Sequence, residues 1–169
     1  GAASVSYATA ELTKTLAESF INPRILVLGL GEIGEDTVKN LVGSQLEVTI
    51  SNRSELKLQE VSALYNYPTL SFSEVKDSLS EYDIIISSIP VQHFITGEDI
   101  QHDEKDGLKY FIDLSIPRSI SPEVEYFKGV HIYNIDEIQD KTSKAVQKRV
   151  NAIPEVEQIV KDSMIDFLD

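Results

Sequence analysis

Cysteine is absent from the 169 residues, which excludes disulfides, thiolate metal sites and a cysteine nucleophile within this chain. No apolar run approaches the roughly 18 residues that a membrane span needs, and no signal peptide is visible. These absences fit a cytoplasmic protein. Cations are scarce: 15 Lys and Arg against 28 Asp and Glu leave a formal net charge of −13. Phosphate neutralisation needs clustered Lys and Arg, so a nucleic-acid-binding surface on this segment is disfavoured. The acidic excess is expected on solvated helix faces. There is no repeat, no low-complexity tract and no His/Asp/Glu spacing that suggests a metal site. What remains is a chain with 41% apolar residues, enough for a real core and long enough for one domain plus an appendage.

The most informative stretch is Gly29-Leu30-Gly31-Glu32-Ile33-Gly34. It follows the apolar run Ile25-Leu26-Val27-Leu28 and precedes a helical pattern, the context that a dinucleotide-binding G-x-G-x-x-G requires. The first glycine makes the tight turn, the second lets backbone approach a pyrophosphate, and the third lets the helix pack on the strand. The helix N-terminus then offers N–H groups and a positive dipole end to the phosphates.

Around this turn the chain alternates strands and helices. A first helix is predicted over 4–20, ending near Asn22-Pro23, and a first strand over 24–29 that looks buried on both faces. A helix over 35–42, a strand over 46–51, a helix over 54–65 and a short strand over 69–72 follow. Then come a short helix over 73–80, a fourth strand over 83–88, a helical turn over 98–105 and strands over 110–114 and 130–134. The alternation predicts an α/β fold: a Rossmann-type doubly wound parallel sheet of about six strands, order 3-2-1-4-5-6. From Asp136 onward one long helix is predicted, with Asp136 as N-cap and Gln139 completing a capping box. Its stripe runs through Ile138, Thr142, Val146, Val150, Val160 and Phe167, with Pro154 kinking or splitting it. The part beyond Pro154 is expected to meet a partner or a further domain.

The second strand ends Ser51-Asn52-Arg53-Ser54, without the carboxylate that usually binds a ribose 2′-hydroxyl about 20 residues past the glycines. Arg53 can pair with a 2′-phosphate and Ser54 can donate to it, so the expected cofactor is NADPH. The crevice of such a sheet lies beyond the strand C-termini, which brings Ser87, Ser88, Ile89 and Pro90, then Ser115, Ile116, Pro117 and Arg118, then Asn134, Ile135 and Asp136 to its rim. The candidate cofactor-binding residues are Gly29, Leu30, Gly31, Glu32, Ile33, Gly34, Asn52, Arg53, Ser54, Ser88, Ile89 and Ser115. No catalytic residue and no metal ligand is assigned. His93 is the one histidine near the rim, and a local loop hydrogen bond is the more frequent role for such a residue than proton donation. His102 and His131 read as surface and strand residues.

Several segments together resemble glutamyl-tRNA reductase, the family that begins five-carbon tetrapyrrole (porphyrin and haem) synthesis. They are Ser4-Val5-Ser6-Tyr7-Ala8 with Glu11-Leu12, Val27 to Gly34, Asn52-Arg53-Ser54, Asp83 to Ser88, Ile112-Asp113-Leu114-Ser115-Ile116-Pro117-Arg118, and Tyr133 to Ile138. The resemblance runs in order along the whole chain. It implies a linker helix over 1–22, an NADPH-binding domain over 23–135 and the start of a spinal helix over 136–169. In that family a preceding domain carries a nucleophilic cysteine that forms a thioester with glutamate from glutamyl-tRNA, and reduction with NADPH yields glutamate-1-semialdehyde. The spinal helix leads to a dimerisation domain, and the downstream aminomutase is an implied partner. With no cysteine here, the resemblance implies an excised central domain that is inactive alone. The segment Ile89-Pro90-Val91-Gln92-His93-Phe94 departs from the family's Thr-Gly/Ser-Ala-Pro-His-Pro pattern, although His93 holds the matching position.

Two other readings stay open at this point. A shikimate dehydrogenase-like cofactor domain also ends its second strand in Asn-Arg-Ser/Thr. A nucleotide-sensing regulatory module shares the fold but typically keeps an acidic residue there.

Overall fold

A computed structural model describes residues 1–101 and 107–139. Five parallel strands form one sheet in the order β2-β1-β3-β4-β5: β1 Arg24–Leu28, β2 Glu47–Ser51, β3 Ile84–Ser87, β4 Lys109–Asp113 and β5 Val130–Asn134. The helices are α1 Ala2–Ala17, α2 Glu32–Leu41, α3 Glu55–Tyr65, α4 Gly97–Gln101 and α5 Ile135–Gln139. None is long and apolar enough to cross a membrane.

Period-two alternation divides the strand residues between two cores. Ile25, Val27, Val48, Ile50, Ile84, Ile86, Tyr110, Ile112 and Tyr133 face α1, α2 and α3, where Leu12, Leu16, Val38, Leu41 and Leu58 meet them. Leu26, Leu28, Ile85, Phe111, Val130 and Ile132 face the other side, against Val75, Leu79, Ile89, Ile95, Ile120 and Val124. Both faces are covered, which is why these strands read as continuous apolar runs rather than alternating ones. α1 is tied to α2 directly: the Ser6 hydroxyl donates to the Ile33 carbonyl at 3.2 Å.

The expected third strand, 69–72, is the main departure. Only a single parallel bridge, Ile50 to Thr69, lies on the outer edge of β2. Pro68 accepts from the Ile50 N–H through its carbonyl, but without an N–H of its own it cannot extend the ladder backward. Beyond Leu70 the chain turns into 3-10 turns at Phe72–Glu74 and Lys76–Glu81, in place of the expected helix. The predicted order survives with its third member reduced to one bridge.

The start of the last helix also shifts. Asn134, not Asp136, caps α5: its Oδ1 accepts from the Glu137 N–H at 3.2 Å, and Glu137 Oε1 accepts from the Asn134 N–H at 3.1 Å. This reciprocal pair is a capping box. The remainder of the expected long helix, the expected kink at Pro154, His102 and the end of the expected turn over 98–105 lie outside the described residues.

Candidate nucleotide-binding site

β1 is flanked by β2 on one side and β3 on the other, so the chain reverses its direction of travel across the sheet between them. In a sheet of this order the ligand crevice lies at that point, outside the C-terminal strand ends, and the glycine turn follows the end of β1 there. Gly29 sits at φ +97, a conformation that favours glycine, and its N–H donates to the Ser51 carbonyl at 2.9 Å. A Cβ on Gly34 would collide with the Gly29 carbonyl, so the third glycine is what lets α2 approach β1. Gly31 differs from both. A Cβ there would meet nothing within 4 Å. The missing side chain serves no packing inside the protein and leaves the backbone open to an outside group.

Gly31 is also the N-cap of α2, and no side chain caps that end. The first N–H groups of α2, at Glu32, Ile33 and Gly34, therefore keep their donors for an external acceptor. This cradle fits a pyrophosphate. Leu30 differs from its neighbours because its N–H donates to Asn52 Oδ1 at 2.9 Å. Asn52 Nδ2 in turn donates to the Ser54 carbonyl at 3.2 Å. One amide thus ties the glycine turn to the loop after β2.

That loop presents Arg53 and Ser54. Ser54 is the N-cap of α3, its Oγ accepting from the Lys57 N–H. Arg53 is exposed and forms no ion pair among the described residues. Lys57, which the sequence reading missed, reaches across to α2: its Nζ lies 2.7 Å from Glu35 Oε1. The only signal for it was its position one helical turn past Ser54.

The loops after β3 and β4 form the opposite wall. The Ser88 hydroxyl donates to the Gly29 carbonyl at 3.3 Å, and Ile89 packs where a Gly29 side chain would be. Asp113, fully buried at the tip of β4, accepts from the Ser119 hydroxyl at 2.8 Å, the Ile120 N–H at 2.9 Å and the Ser115 N–H at 3.2 Å. The Ser115 hydroxyl donates to Ser119, which is 2.8 Å from Ser87. Ser115 is therefore turned into this network, with its side chain buried. Asp113 and Ser119 were not singled out in the sequence; the hint was a carboxylate ending an otherwise apolar strand.

His93 adopts φ +50, and its N–H donates to the Arg118 carbonyl at 2.9 Å, so its backbone joins the two loops. Ile116 and Pro117 are linked by a cis peptide, and Ile116 is exposed at the rim. Arg118 lies 4.0 Å from Asp136. No group of three or more His, Cys, Asp or Glu among the described residues could hold a metal ion.

A sequence profile of the shikimate / quinate 5-dehydrogenase family matches residues 11–141. The chain belongs to that family. Within it, the chain is 40% identical to the glutamyl-tRNA reductase of Cytophaga hutchinsonii over 99% of its own length and 40% of that protein. It is 29% identical to the Bacillus subtilis enzyme of the same name, over 98% of this chain and 38% of that one. Among solved structures, glutamyl-tRNA reductase from Methanopyrus kandleri superposes with a TM-score of 0.70 at 25% identity, covering 96% of this chain and 42% of that one. The chain thus spans about two fifths of the length of the curated relatives it matches. These relatives bear out the resemblance read from the motifs and favour it over the shikimate dehydrogenase-like alternative. Fold and family together support a nicotinamide dinucleotide as the class of cofactor.

Proposed function

We propose that this chain is the NADPH-binding domain of a glutamyl-tRNA reductase. In the whole enzyme it serves reduction of a glutamyl thioester, formed from glutamyl-tRNA on another domain, to glutamate-1-semialdehyde. Bound NADPH supplies the hydride for that reduction. The residues of this chain bind and orient it. The N–H groups at Glu32, Ile33 and Gly34 take the pyrophosphate, with Gly31 admitting its close approach. Arg53 pairs with the 2′-phosphate, and Ser54, whose oxygen accepts within α3, keeps its proton for a phosphate oxygen. Asn52 holds the two phosphate sites in register. Ser88, Ile89 and Ser115 belong to the wall beside the nicotinamide.

The observation that carries the reading is the tip of β2. Arg53 lies exposed without an ion-pair partner among the described residues, and no carboxylate stands before Glu55. An acid there would repel a 2′-phosphate; a free guanidinium attracts one. Residues 1–22 then form a linker segment and 23–135 the nucleotide domain, with 136–169 leading toward a dimerisation domain. The parent enzyme is a cytoplasmic homodimer, with the downstream aminomutase as a candidate partner.

Calorimetric titration of the chain with NADPH, NADH and ATP tests this. Tightest binding of NADPH is expected, and preference for NADH or ATP overturns the reading. Because the chain has no cysteine, it is expected to show no turnover of glutamyl-tRNA by itself.

A further inference from the structure

Two cations lie at the start of α3, Arg53 just before its N-cap and Lys57 in its first turn, and their electrostatic situations are opposite. Arg53 has no anionic partner among the described residues, whereas Lys57 is neutralised by Glu35 at 2.7 Å. The pair bridges two helix starts: Glu35 belongs to the first turn of α2 and Lys57 to the first turn of α3. Both side chains are about one-third exposed, at 36% and 28%. The hydrogen bond to Glu35 holds the Lys57 ammonium above its usual pKa, with the charge of Glu60 adding to the effect.

A carboxylate in this place acts on a phosphate in two ways. It competes for the Lys57 ammonium, and its own charge repels a dianion brought close to it. We propose that Glu35 is a specificity-determining residue: by holding Lys57 it restrains affinity for the 2′-phosphorylated dinucleotide while leaving the 2′-hydroxyl form untouched. A partly exposed ion pair is weak, so the carboxylate is a brake that phosphate can overcome rather than a lock. An ammonium has three donors on a flexible stem, and it can turn from Glu35 toward a phosphate oxygen without backbone movement. The inference rests on the NADPH reading and deepens it.

The test titrates NADPH and NADH into the wild-type chain, Glu35→Gln, Lys57→Met, the double variant and Arg53→Ala, at low and at physiological salt. Glu35→Gln is expected to tighten NADPH roughly two- to fivefold, the scale of a partly exposed pair, with NADH unchanged. The gain should shrink as salt rises. Lys57→Met should weaken NADPH and abolish most of the gain in the double variant. If Glu35 merely ties α2 to α3, Glu35→Gln would lower the melting temperature and shift both cofactors alike, and that result overturns the proposal. Weaker NADPH binding by Glu35→Gln overturns it too. Arg53→Ala separates the two levels: equal loss of both cofactors there removes the NADPH reading itself. Selective loss there, with no selective gain from Glu35→Gln, removes the role of Glu35 alone.

Discussion

The two walls of the crevice are built on opposite plans. On the side of β1 and β2, polar groups are left open: α2 has no side-chain cap, Gly31 faces empty space, and Arg53 lacks an ion-pair partner among the described residues. On the side of β3 and β4, polar groups satisfy one another: Asp113, Ser119, Ser115 and Ser87 form one buried network, and the loops around His93 and Arg118 share backbone hydrogen bonds. Open donors convert into binding energy only when a ligand arrives, whereas closed ones convert into rigidity at once. One wall recognises and the other holds shape. Variants on the first should change affinity with little effect on stability, and variants on the second the reverse.

The largest departure is expected from Asp113→Ala. It strands three buried donors, at Ser115, Ser119 and Ile120, and should cost about 3 kcal/mol or more in urea unfolding. A near-neutral result would mean that the network contributes little to the second wall. The glycines cut across the comparison next. Gly34→Ala drives a Cβ into the Gly29 carbonyl and should destabilise by about 1–3 kcal/mol. Gly31→Ala has open space, so its unfolding midpoint should stay put while nucleotide affinity falls by about 1.4 kcal/mol, a tenfold loss. If Gly31→Ala leaves affinity intact, the open backbone is not where the ligand approaches.

Arg53→Ala should weaken NADPH by roughly 1–3 kcal/mol, the scale of one charged hydrogen-bonded contact, and spare NADH. The smallest effect belongs to Glu123, in the 3-10 turn at Pro122–Tyr126. Its carboxyl is held below the ordinary value chiefly by the Gly97 N–H, which donates to it at 3.0 Å. A lowered folded-state pKa contributes stability above the ordinary carboxylate pKa, lost as pH falls through the lowered one. Glu123→Gln should therefore be slightly less stable than wild type at neutral pH, the gap closing in acid. A gap that persists in acid would assign the effect to packing instead of charge.

Much of this fold is legible in local patterns, because strands buried on both faces must be continuously apolar. Ile25 to Leu28 and Ile84 to Ile86 could hardly be anything else. The short strand over 69–72 misled because Thr69-Leu70-Ser71-Phe72 alternates polar and apolar as a half-buried strand does, while Pro68 denies it a ladder. The cap of α5 misled because Asn134 and Asp136 are both good caps, and the choice depends on where β5 releases the chain. In the site, the glycine turn and Asn52-Arg53-Ser54 stood out as contiguous motifs with a known stereochemical need. The partners of those motifs did not.

The sequence by itself determined the alternation of strands and helices, the glycine turn and the absence of an acid at the tip of β2. Each depends on residues within a few positions of one another, where side-chain period and backbone stereochemistry decide. The tertiary structure alone decided that Asn52 binds the Leu30 N–H, that Lys57 meets Glu35, and that Ser119 joins Asp113 to Ser87. Those contacts arise only when parallel strands bring their C-terminal ends to one edge. Their strength depends on distance and burial that no linear spacing encodes.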